Sequence, residues 1–328
     1  MTKTITPVWI DRQGLEHWLA QATGRSVDPV AGLYGPDSMM WRIGREAIAF
    51  LGGGRAALLQ LAHPWVANAI DQHSATRNDP VGRFNRTFIN VFSMVYGDLE
   101  QVAEVSRRVH HIHTAMTGEL GEPSGAFAEG SHYRANEAHA MMWVHATLWD
   151  TMKRMYELVF PTLSQQELNQ YYEETRLFAY LFGIPDELLP PDWGSFQEYC
   201  DAMYQSDVLT VGEVGREMGD MIFSFDLPFA GAPLGWLRRM TAEMMPTRLR
   251  EQFGLPPSTE HTRHWYERQL RRVRRIYPKL PTTVRHIPPY QEACRRIQGH
   301  QGAGFSTRML NRIWLGQPEL VSRRKVSQ

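Results

Sequence analysis

The side chains best suited to chemistry are histidines and arginines at helical spacing on three segments. Projected at about 100° per residue, Val102, Val105, Val109, Ile112 and Met116 form one apolar stripe. His113 falls within it, one turn from Val109 and Met116; His110 lies at its edge, and His111 points the opposite way, toward solvent. On a later helix His145 sits at the centre of a stripe made by Met141, Leu148, Trp149, Met152 and Tyr156. An imidazole in such a stripe is either a hydrogen-bonded core residue or a ligand for a metal or haem iron, and spacing alone favours the core role for each. Phe84, Phe88, Val91, Phe92 and Val95 share one face of the helix that follows Pro80. Arg83, Thr87 and Asn90 share another, with Arg86 beside them. That row is either an ordinary solvent face or a cationic and hydroxyl surface able to meet haem carboxylates or a bound oxygen species.

Other chemistries find little support. A carboxylate-bridged di-iron bundle needs two Glu-x-x-His pairs on helices; the chain offers Glu129 with His132, inside a Gly-rich loop. Gly52, Gly53 and Gly54 lack the Lys-Ser/Thr ending of a phosphate loop and follow no strand, so they read as close helix packing. No Gly-x-Ser-x-Gly elbow occurs. Cys200 and Cys294 match no zinc, redox or disulfide spacing and read as idle thiols.

The elements that must position these residues are helices. Apolar residues recur at three and four and seldom at two, so no strand is predicted. Expected helices run from Ser38 to Phe50, breaking at the three glycines, and from Arg55 to Ala62. Others run from Asp79 and Pro80 to Tyr96, and from an Asp98–Gln101 capping box to Gly118. After a loop over 119–133, Asn136 caps a helix that stops before Pro161, and a Ser164–Glu167 capping box starts one that closes at Gly183. Shorter helices are expected near 196–205, 210–223, 235–252 and 260–276. The fold class is therefore all-α, an N-terminal segment (1–36) followed by one large helical domain (37–328). With 328 residues and 43% apolar content the chain can bury a sizeable core.

The stretch from Met1 to Gln21 lacks the cationic and apolar runs of an export signal, which points to the cytoplasm. The longest uncharged stretch, Ala56–Ile70, is too short to span a bilayer. Net charge is zero, yet Lys and Arg against Asp and Glu count 16 to 29 over residues 1–236 and 19 to 6 over 237–328. Since the arginines of the basic part alternate with Trp265, Tyr266, Leu270, Val273 and Ile276 at helical spacing, a solvated face pairing with the acidic first part is expected, rather than nucleic-acid binding.

In order along the chain stand Gly-Gly-Gly-Arg (52–55), Leu-Ala-His-Pro (61–64), His73-Ser74, Asp79-Pro80, Arg83 with Thr87, and His113 with Gly118. Tyr-Arg-Ala (133–135) and Trp-Val-His-Ala-Thr-Leu (143–148) follow. This ordered set resembles the haem-dependent oxygenases related to MpaB and latex clearing protein, clearly over 38–205 and loosely over 206–328. The resemblance implies an all-helical fold enclosing one haem b, with His113 as proximal iron ligand and Arg83 and Thr87 on the distal side. His145 is the competing ligand, and Arg86 stands where rubber oxygenases carry a distal lysine. It further implies oxygen insertion into, or cleavage of, a carbon–carbon double bond in a small apolar, isoprenoid or lipid-like substrate, with O2 as co-substrate. Rubber itself is not expected without export. The alternatives are a non-catalytic haem carrier or sensor, its distal side closed by His145, His63 or His73, and a helical binding protein with no metal.

Overall fold

Two aspartates start the helices that carry most of the candidate residues. Asp79 accepts a hydrogen bond from the Gly82 amide (2.9 Å) with Pro80 in the first turn, and Asp98 accepts one from the Gln101 amide (2.8 Å), each satisfying an amide that the helix itself leaves unpaired. The structure, a computed structural model, describes residues 7–73, 79–224, 231–300 and 302–320. Ser74 and the Phe84 side chain lie outside that set.

The chain is 67% helical, with sixteen α-helices among the described residues. In order they are α1 (Arg12–Thr23), α2 (Met39–Gly44), α3 (Gly53–Leu61), α4 (Pro64–His73), α5 (Pro80–Tyr96) and α6 (Leu99–Thr114). After a hairpin come α7 (Ala138–Val159), α8 (Gln165–Tyr180), α9 (Trp193–Gln205), α10 (Glu213–Met221), α11 (Gly231–Met244) and α12 (Thr247–Gln252). The last four are α13 (Glu260–Ile276), α14 (Thr282–Arg285), α15 (Pro288–Ile297) and α16 (Phe305–Leu315). The hairpin pairs β1 (Thr117–Glu119) with β2 (His132–Arg134), antiparallel, Gly118 opposite Tyr133.

Several boundaries differ from expectation, each for a local reason. α6 ends at Thr114 rather than Gly118, because 117–119 leave the helix for strand pairing; three-residue strands carry no readable alternation. The Asp98 box is half formed, since the Gln101 side chain donates to Ser93 Oγ and the Leu320 carbonyl instead of accepting from its own N-cap. Glu137, not Asn136, caps α7 through the Ala140 amide (2.7 Å); Asn136 donates instead to Thr114 Oγ1 (2.9 Å). The helix expected from 38 to 50 is α2 plus a separate 3-10 turn over 47–52, and Pro246 divides 235–252 into α11 and α12. The Ser164–Glu167 box forms in full.

One apolar core runs from Ile10 to Leu320, with Trp41 and Trp143 sealed at its centre; their indole N–H groups donate to the carbonyls of Val95 and Leu59. α3 lies against α7, and Gly52 at its start makes that approach possible: a Cβ there would strike Thr151 and Met155. α15 and α16 pack on each other and return to α5, so the end of the chain closes against the helix bearing Arg83.

Candidate functional site

α6 runs back along α5 from the tight Gly97–Asp98 connection. Gln101 lies opposite Ser93, Arg108 donates to Asn90 (3.0 Å), and His113 comes opposite Arg83. Val102, Val105 and Val109 are buried as the stripe requires, but Ile112, in the last turn of α6, is 42% exposed. His113 stays inside: its Nδ1 is sealed from solvent and has no hydrogen-bond partner. Burial first, then the nearby Arg83 charge, then His110, lower its pKa from 6.5 to about 4. At neutral pH it is thus a neutral imidazole, the form that offers a lone pair to a metal.

Arg83 and Thr87 are one turn apart and bound to each other. Arg83 Nη1 donates to Thr87 Oγ1, whose own proton goes to the Arg83 carbonyl (3.1 Å). Thr87 therefore holds the guanidinium in place. Burial and the Arg86 charge lower the Arg83 pKa, though a guanidinium remains protonated in a protein. Arg86 projects away into solvent, where it pairs with the exposed Asp79 carboxylate at 3.2 Å.

His145 is buried as its stripe requires, in a different place. Its Nδ1 accepts from Trp149 Nε1 (3.0 Å), its ring stacks with Phe178 of α8 at 6.3 Å, and its Nε2 is sealed without a partner. Burial alone brings its pKa to about 3. His63 is similar, with Nδ1 unpartnered and a pKa near 3 from burial, between Trp65 and Phe127. His73 bonds the Thr117 carbonyl near the surface (2.9 Å), and His111 is exposed. The structure thus gathers Arg83, Thr87 and His113, and leaves Arg86 and His145 apart from them.

Sequence reasoning noted Arg55 only as part of a motif. It is 2% exposed and donates to Asp150 (2.9 Å), Thr151 (2.6 Å), Tyr204 (2.8 Å) and the Met244 carbonyl (3.2 Å), tying α3 to α7, α9 and α11. An aspartate between Trp149 and Thr151 on the buried face of α7 was the available signal. Likewise Glu46, 2% exposed, meets Arg285 (3.0 Å) and Tyr277 (3.1 Å). Among the described residues no group of three or more His, Cys, Asp or Glu forms a metal-binding cluster, which single-histidine ligation of haem does not call for. None of the described helices is long and apolar enough to cross a membrane. Both cysteines are free, and burial pushes the Cys200 thiol up, away from reactivity.

The family model described as "ER-bound oxygenase mpaB/B'/Rubber oxygenase, catalytic domain" matches residues 40–276. The match takes in Arg83, Thr87, His113 and His145 and continues through α13, well beyond residue 205 where the motifs cease to correspond clearly. No curated protein and no solved structure gives a significant match.

Proposed function

The chain belongs to the mpaB/rubber oxygenase catalytic-domain family, a family of oxygenases, and on that premise we propose a haem b-dependent oxygenase that acts on a carbon–carbon double bond of a small isoprenoid or lipid-like substrate. The observation that carries this reading is the sealed, unpartnered Nδ1 of a neutral His113 on α6, within the field of Arg83 on α5. A buried polar atom without a partner costs about 1–3 kcal/mol and calls for an explanation; an imidazole oriented toward haem iron supplies one.

In this reading His113 would hold the iron, and Arg83 with Thr87 would line the side on which oxygen reacts. Bound haem supplies the site at which O2 is activated toward an alkene. Arg83 contributes a fixed positive charge toward negative charge developing on oxygen, and Thr87 fixes the guanidinium direction. Phe88, Phe92 and Phe50, packed on one another along α5, would add apolar surface that excludes water from an alkene. Arg86 has no lone pair to give the iron, so closure of the distal side by a side chain at that position, which a lysine permits, is not available.

The purified protein, supplied with haem, should show a Soret band and about one haem b per chain by pyridine haemochrome. His113→Ala should abolish stable haem binding. His145→Ala should stay red and lose about 1–3 kcal/mol of stability, the cost of a broken buried hydrogen bond. Less than about a tenth of the expected haem removes the reading altogether. A red His113→Ala beside a colourless, folded His145→Ala reverses ligand and core histidine. A six-coordinate low-spin spectrum without turnover would instead select a haem carrier or sensor whose iron takes a second histidine.

A further inference from the structure

α16 presents an apolar stripe to solvent. Phe305, Met309 and Ile313 recur at every fourth position and are 83%, 54% and 73% exposed. The opposite face buries Thr307, Asn311 and Leu315 and is fastened to α15 by Asn311, which donates to Glu292 at 3.0 Å. Arg312, exposed, lies within the stripe, and Arg308 lies at its edge, paired with Glu319 at 2.9 Å. Scattered apolar residues on a surface are ordinary, whereas three in line on one helix face form a patch that marks an interaction site.

Charge selects the occupant. Residues 295–328 contain seven Arg and Lys against a single acidic residue, Glu319, in a chain of zero net charge. The last eight residues, 321–328, contribute Arg323, Arg324 and Lys325 to that count. A second copy docked symmetrically through α16 would bring the same cations against these ones. Anionic lipid headgroups are complementary to both parts, apolar stripe and cationic rim.

We infer that the α16 face docks the protein on an anionic lipid surface, with Phe305, Met309 and Ile313 entering the boundary between headgroups and acyl chains. α16 packs on α5, the helix that carries Arg83 and Thr87. Trp314 meets Phe50 edge-on at 4.2 Å, and Phe50 meets Phe88, next to Thr87, at 5.2 Å. Gly316, at φ +71°, closes so tightly on α5 that a Cβ there would lie 2.9 Å from the Asn85 amide nitrogen. Resting on the oxygenase reading above, docking by α16 would bring the helix that carries Arg83 and Thr87 to the surface of a lipid layer that dissolves the alkene.

Vesicle flotation of the full chain tests the docking. Phosphatidylcholine vesicles with about one-third phosphatidylglycerol should carry the protein up a gradient, pure phosphatidylcholine vesicles should not, and added salt should weaken the association. The triple substitution Phe305→Ser, Met309→Ser, Ile313→Ser should reduce binding at least about tenfold. Arg312→Gln should reduce it about fivefold, and since one exposed side chain changes, that arm holds even if the triple variant misfolds. Equal binding to both vesicle types, no binding to either, or unchanged binding of the variants overturns the inference, as does a wild-type dimer that the triple variant dissociates without any vesicle association. Flotation requires no haem: a red protein that ignores vesicles fails this inference alone, while a colourless protein that floats fails only the oxygenase reading.

Discussion

A guanidinium that is buried and tied to a hydroxyl one turn away is a preorganised charge, and its worth is measurable with an anion. In the haem-loaded ferric protein, Arg83→Gln should weaken cyanide binding about tenfold, the scale of one charge-assisted contact, with haem content unchanged. Thr87→Val should show a smaller part of that loss, because the hydroxyl acts through Arg83. Affinities that do not move would remove Arg83 from the iron's surroundings. Arg86→Ala should leave the spectrum and cyanide affinity as they are, since Arg86 is exposed and engaged with Asp79; a changed spectrum would mean that the side chain turns inward when haem binds. Helical projection was enough to turn His113 and His145 inward and His111 outward. It failed at Ile112, which is exposed in the last turn of α6, where the chain leaves the helix for β1. It had no means of choosing between two inward histidines, a choice that depends on the Arg83 charge arriving from another helix.

Among the elements, the starts of α5 and α8 were legible because each is written in adjacent residues, Asp79-Pro80 and Ser164 with Glu167. Where neighbouring residues could cap equally well, as at Asn136 and Glu137, tertiary contacts decided: Asn136 is used to bind Thr114 and His110, which leaves Glu137 for the helix. The Arg55 junction was hidden for the same reason, since its four partners come from positions between 150 and 244. Such a buried pair is costly to break from one side. Arg55→Met should destabilise by about 3–5 kcal/mol, because Asp150 stays buried with only Arg154 to balance it. Arg154→Ala, whose side chain is 46% exposed, should cost no more than about 1 kcal/mol. Urea midpoints report both, with the slope of the transition unchanged. Similar losses for the two variants would show that the junction does not depend on Arg55.

For the whole molecule, the charge asymmetry resolves differently from the expected pairing of α13 with acidic residues of the first part. α13 buries none of its residues; Arg274 donates to the Leu158 carbonyl, and Arg271 meets Glu267 of its own helix. Charged links from the basic part to the acidic first part come from Arg285 to the buried Glu46 and from Arg238 to Asp220, while Arg296 caps the Val30 and Tyr96 carbonyls. These contacts fasten the basic end to the core independently of pH near neutrality. The acid limit of the fold lies with the buried histidines. His63 and His145 titrate near 3, and His113 and His286 near 4, all below the ordinary 6.5. The unfolded chain therefore takes up protons first. The stability they contribute is fully present above about pH 6.5 and is lost as pH falls through the window toward 3 to 4. Each fully buried histidine should steepen the decline by about 1.4 kcal/mol per pH unit once pH is well below 6.5. In the haem-free protein the urea midpoint should accordingly fall between pH 6.5 and 4.5, before carboxylates such as Asp150, held below their usual range by Arg55 and Arg154 against the opposing effect of burial, begin to protonate. His63→Leu should remove one histidine's share of that slope. A flat profile over this window, or a His63→Leu slope equal to that of the unaltered chain, would show that water reaches these imidazoles and that the core around α3, α4 and α7 opens more readily than its packing implies.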